Sequence, residues 1–120
     1  MNDYKTILSK GPEELLNWLV SSFTVEIPSA LLSVEDMQYA AQIMSQLAGY
    51  YQYLNSLSAY AKIITRQIKR ADDKTKEDYE DMVDKKEAIN SIIEAVKMTY
   101  NALSRAVTIY IENNKELHLL

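Results

Sequence analysis

Residues 37–68, MQYAAQIMSQLAGYYQYLNSLSAYAKIITRQI, and residues 79–110, YEDMVDKKEAINSIIEAVKMTYNALSRAVTIY, share one heptad frame. Counting sevens from Met37, the a and d positions of the first stretch are Met37, Ala40, Met44, Leu47, Tyr51, Leu54, Ser58, Ala61, Thr65 and Ile68. Those of the second are Tyr79, Met82, Lys86, Ile89, Ile93, Val96, Tyr100, Leu103, Val107 and Tyr110. An apolar stripe with a period of 3.5 residues buries one helix against another. In the first stretch the g positions Ile43, Tyr50, Leu57 and Ile64 and the c positions Tyr39, Tyr53 and Tyr60 widen the stripe. Such a broad face can touch two neighbours at once. The second stretch carries Ala88, Ala95, Thr99, Ala102 and Ala106 at c and g, small side chains that let a further helix approach closely.

Between the stretches the frame passes through Asp72 and Thr75, two polar seam layers in succession. That break predicts an all-α fold: a long antiparallel helical hairpin with helices over about 33–71 and 75–113, turning near Asp72 to Thr75. The competing arrangement is one continuous helix of about 80 residues, roughly 120 Å long, because the turn lacks Gly and Pro and the frame crosses it unchanged. Ser33 is the predicted N-cap of the first long helix, with Asp36 standing near the Glu or Gln position of a capping box. Gly49 costs this helix roughly 1 kcal/mol relative to Ala. An Asn113-Asn114 pair suits the end of the second helix.

Residues 1–27 form a short N-terminal helical unit packed against the hairpin, which spans 28–114, and 115–120 form a short tail. Asp3 is a candidate cap for a helix through about Ser9. Gly11-Pro12 breaks that helix and starts another, since Pro suits the first helical turn and Glu13 and Glu14 favour its dipole. Leu15, Leu16, Trp18, Leu19 and Phe23 make the second short helix strongly apolar. It is too short to persist alone and must dock. Residues 24–28 read as extended or irregular because Pro28 pushes its predecessor out of the α region, and Pro28 to Leu32 as a helical turn.

At 120 residues the chain is one domain. Two Gly and two Pro argue against a turn-rich β fold. A net charge of −4 makes generic nucleic-acid binding unfavourable. With no Cys there is no disulfide framework and no thiolate chemistry. The N-terminus lacks the layout of a signal peptide, and no stretch approaches the roughly 20 apolar residues of a spanning helix. The expectation is a cytoplasmic protein that does not enter a membrane.

Catalytic chemistry finds no foothold. His118, the only histidine, has no visible orienting partner near the chain end. Without Cys or a second His the usual zinc sites are excluded, as is the Glu-x-x-His pattern of di-iron bundles. No phosphate-binding Gly loop or nucleophile elbow is present. Glu77, Glu80, Asp84, Glu87 and Glu94 fall at outward b and f positions, a solvated acidic face rather than a hard-cation site. The expectation is therefore no enzyme, no cofactor and no metal.

Two clusters point to binding. Arg66, Lys69 and Arg70 share a helix face by their spacing, flanked by Lys62, Lys74 and Lys76. They suit a phosphate or an acidic partner, but also complement their own helix's C-terminal dipole and the acidic start of the next helix. Nine tyrosines are the other feature. An apolar ring with a polar tip suits core rims and protein interfaces, and beside basic residues it can stack bases. The partner-binding residues are accordingly Tyr39, Tyr53, Tyr60, Arg66, Lys69 and Arg70. The leading expectation is a small helical protein–protein interaction module: an adaptor, inhibitor or regulatory subunit. The alternative is an accessory nucleic-acid-binding factor using the basic cluster. A homodimer through the Tyr39, Ile43, Tyr50, Tyr53, Leu57 and Ile64 surface is expected unless the N-terminal unit covers it.

Overall fold

A computed structural model describes residues 4–28, 30–71 and 76–118, the side chains of Lys76 and of residues 115–118 excepted. Four helices follow in order: α1 (Tyr4–Leu8), α2 (Pro12–Ser22), α3 (Val34–Arg70) and α4 (Lys76–His118). No strand occurs among the described residues. The predicted turn near Asp72 to Thr75 lies outside the described residues, as does Asp3. The helices on either side of that turn nevertheless decide between the two arrangements. A continuous helix would measure roughly 120 Å, whereas the molecule is 73 Å in its longest dimension. Leu47 and Tyr51 of α3 line one recess with Val96 and Tyr100 of α4. The chain folds back on itself, and α3 and α4 run antiparallel.

Local sequence sets the helix starts. Ser33 adopts extended backbone at φ −150° and its hydroxyl accepts the Asp36 N–H at 3.1 Å. Asp36 reciprocates one residue further back, its carboxylate accepting the Leu32 N–H at 2.9 Å. Two otherwise orphaned donors at the helix start are thereby satisfied. At the far end, the Ala71 N–H bonds to the carbonyls of Gln67 and Ile68, and Lys69 and Arg70 occupy the last turn. α2 begins at Pro12 behind Gly11, with Glu13 and Glu14 in its first turn.

Two expectations are corrected. α4 does not stop at Asn113-Asn114 but continues to His118. Asn114 instead turns its side-chain amide back to the Tyr110 carbonyl at 2.9 Å, which keeps it inside the helix. The helical turn expected over Pro28 to Leu32 is also absent, since Pro28 and residues 30–32 are irregular. Residues 30–32 lead without regular structure into the extended Ser33 cap of α3.

The core is the predicted seam. Leu47, Leu54 and Ile89, all d residues, are fully buried, and Leu57 at g is buried with them. Leu15 and Leu19 of α2 complete the set of large, fully buried side chains. Each contributes on the order of 2–3 kcal/mol through removal from water. The N-terminal unit covers the g and c flank of the hairpin. Leu19, Phe23 and Val25 line a recess with Leu47, Ile92 and Thr99. α1 and α2 form a V over Tyr53: the Tyr4 ring centroid lies 5.5 Å from that of Tyr53, and the Phe23 centroid lies 5.7 Å from it on the returning arm.

Candidate interaction surface

The six residues expected to bind a partner fall into three situations. Tyr53 and Tyr60 are half-buried and engaged by the chain's own N-terminus. Tyr60 stands 5.8 Å from Tyr4, and Tyr53 touches both Tyr4 and Phe23. Phe23 also packs edge-on against Tyr50 at 5.0 Å. Ile43 and Leu57 are buried in the core beneath this arrangement. The flank that invited a second protomer is therefore filled by α1, α2 and the segment after them. Tyr39 escapes this cover and is 48% exposed, bordering a recess with Thr24, Val25 and Glu26.

Arg66, Lys69 and Arg70 lie exposed at the turn end of α3. Among the described residues, Arg66 and Arg70 make no ion pair.

Lys85 was not legible as a functional position. It occupies g in α4 and is only 6% exposed. Its ammonium donates to the Leu8 carbonyl oxygen at 2.7 Å and pairs with Asp81 at 2.8 Å. Leu8 is the last residue of α1, where the helix leaves its carbonyls unpaired and carries a partial negative charge. A buried cation is tolerated here because both a carboxylate and a carbonyl face it. The i, i+4 spacing of Asp81 and Lys85 was a weak signal for a paired lysine. The Leu8 partner has none in the sequence.

One recess lies at the open end of the hairpin, away from the turn. It measures about 430 Å³ and is lined by Leu31, Leu32, Ala106, Ile109, Tyr110, Asn113 and Asn114. Leu32 is 83% exposed and Ile109 51% exposed, and Val34 beside the Ser33 cap is 65% exposed. Leu32 is not loose: its own N–H is tied to Asp36. Residues 24–44 and 106–114 carry Glu26, Glu35, Asp36 and Glu112 but no Lys or Arg. This end combines fixed apolar projections with negative charge.

The opposite face of the hairpin, formed by e and b positions, has no cover from the N-terminal unit. A recess of about 290 Å³ opens there, lined by Leu47, Ala48, Tyr51, Gln52, Val96, Lys97, Tyr100 and Asn101. No group of three or more His, Asp or Glu side chains among the described residues is placed to hold a metal ion. No described helix is long and apolar enough to cross a membrane. In comparisons with known proteins, no family model, no curated protein and no solved structure matches this chain.

Proposed function

We propose that this chain is a helical protein–protein interaction module, acting as an adaptor, inhibitor or regulatory subunit, and that it docks its partner on the open end of the hairpin. The observation that carries this reading is Leu32. Leu32 shares one recess with Leu31, Ile109 and Tyr110, and contiguous exposed apolar surface marks interaction sites. Its backbone is held by Asp36, so little ordering entropy is lost on binding. Ile109 across the recess extends the same surface. The carboxylates around it favour a partner segment that is apolar with Lys or Arg at its margins. A helix laying an apolar edge into a groove is the recognition mode that fits.

The test is a comparison of variants. Wild-type chain, Leu32→Glu/Ile109→Glu and Arg66→Glu/Arg70→Glu are immobilised, and the protein retained from native-host extract is purified and titrated against each. The proposal expects binding to the wild type and to the arginine variant, lost in the apolar-to-Glu variant. Retention by the Leu32→Glu/Ile109→Glu variant at wild-type affinity rejects it.

The second reading, an accessory nucleic-acid-binding factor, is favoured by one observation, the exposed Arg66 and Arg70 without ion pairs among the described residues. Labelled single- and double-stranded oligonucleotides titrated at two salt concentrations test it, since phosphate contacts weaken steeply with salt.

A further inference from the structure

The uncovered e and b face of the hairpin carries its own complement. The recess borders identify its two sides. Ala48 and Lys97, both at e, and Gln52 and Asn101, both at b, line it together, so the e and b positions of α3 and α4 share one face. The same register, with equal rise along both helices, sets Lys62 and Arg66 of α3 level with the stretch from Met82 to Lys86 in α4. At the turn half of this face α3 is basic, through Lys62 and Arg66, and α4 is acidic, through Glu80 and Glu87. Lys62, Arg66, Glu80 and Glu87 are all exposed. The seam between them is open at mid-length, where Tyr51 is 39% exposed above buried Leu47 and Val96.

We infer that a second copy of this chain covers this face, with the two-fold axis parallel to the helices, giving a four-helix core flanked by the two N-terminal units. That axis lays α3 of one copy over α4 of the other with both turn ends together. Lys62 then meets Glu87 of the second copy, Arg66 meets Glu80, and both contacts occur twice. The alternative two-fold, across the helices, stacks α3 on α3 and leaves Lys62 and Arg66 opposite the uncharged Ala41-to-Gln52 half. The charges thus select one arrangement, and an isologous interface needs this kind of self-complementarity. The molecule measures 73 × 23 × 21 Å, so a long face exceeds the roughly 800 Å² per partner of a standard interface. The two open ends emerge on the same side of the dimer, making the assembly bivalent. Dimerisation itself does not depend on the docking role proposed for those ends.

Sedimentation equilibrium of the full chain tests this with two charge-reversed variants. The wild type is expected to dimerise. Lys62→Glu/Arg66→Glu turns the α3 side of the turn half predominantly acidic, leaving Lys69 as the one cation among its described e and b residues, and Glu80→Lys/Glu87→Lys makes the α4 side basic. Each alone is expected to dimerise about tenfold or more weakly, with unchanged far-UV circular dichroism. Mixed in equal amounts, the two are expected to form a heterodimer. Because the chain has no Cys, a Thr108→Cys spin label reports the axis: the chosen two-fold holds the two labels far closer than the roughly 40 Å of the alternative. A wild type that stays monomeric at high concentration, a dimer indifferent to both reversals, or labels at the longer distance would each overturn the inference.

Discussion

The Lys85 ammonium donates a 2.7 Å hydrogen bond to the carbonyl oxygen of Leu8, 77 positions earlier in the chain. It ties the end of a five-residue helix, too short to stand alone, to the first quarter of the longest one, near the turn. Lys85→Met keeps the aliphatic stem and removes the donor, leaving the Leu8 carbonyl facing the core unpaired. A cost of about 1–3 kcal/mol is expected, read from chemical unfolding. Amide exchange over residues 4–8 should rise before that of α3 does. Unchanged stability and exchange would show that the N-terminal unit is held by its buried apolar and aromatic side chains without this bond.

Those rings form the second anchor. Phe23 meets Trp18 at 5.7 Å, Tyr50 at 5.0 Å and Tyr53 at 5.7 Å. Aromatic pairs of this geometry contribute about 0.5–1.5 kcal/mol each beyond area burial. Phe23→Ala is expected to lose about 2–4 kcal/mol, near the lower part of the range for aromatic truncations because Phe23 is half-buried. It should also expose Tyr53 to solvent, seen as quenching of tyrosine emission by iodide. Tyr53 remaining shielded would contradict the V-shaped cover.

Gly49 sits mid-helix in α3 with no positive φ, and a Cβ added there meets nothing within 4 Å. Its conformational freedom serves no geometry among the described residues and only weakens the helix. Gly49→Ala is expected to stabilise by about 0.5–1 kcal/mol, measured as a raised thermal midpoint with an unchanged spectrum. A lowered midpoint would mean that this position packs against another molecule closely enough to exclude a methyl group.

Much of the fold was legible because helix-on-helix burial writes itself as a period. Leu47, Leu54, Ile89 and Val96 are d residues and buried, and Ser33 caps as its residue type suggests. The excess of g and c apolar residues announced a second neighbour. It did not say whether that neighbour was the chain's own N-terminus or another copy, since Tyr4 meeting Tyr53 and Tyr60 is a long-range contact with no periodic trace. Tyr53 and Tyr60 read as interface residues for the same reason, and Tyr39 alone keeps its exposure. Lys85 was invisible because its decisive partner is a backbone carbonyl. Leu32 was invisible because exposure follows from how the irregular segment approaches the Ser33 cap.

Reversing Arg66, Lys69 and Arg70 together should leave the helical signal intact, because these exposed side chains add little to the fold. Oligonucleotide affinity should already be weak in the wild type at physiological salt. Submicromolar binding that the triple change abolishes would favour the nucleic-acid reading over the protein-docking one.

Hydrogen exchange of the chain, free and saturated with the protein that its open end retains, tests the docking account most directly. The account predicts added protection over residues 24–44 and 104–114, around Leu32 and Ile109, with α1 and α2 unchanged. Protection over residues 62–70 at the turn end, with the open end unaffected, would contradict it.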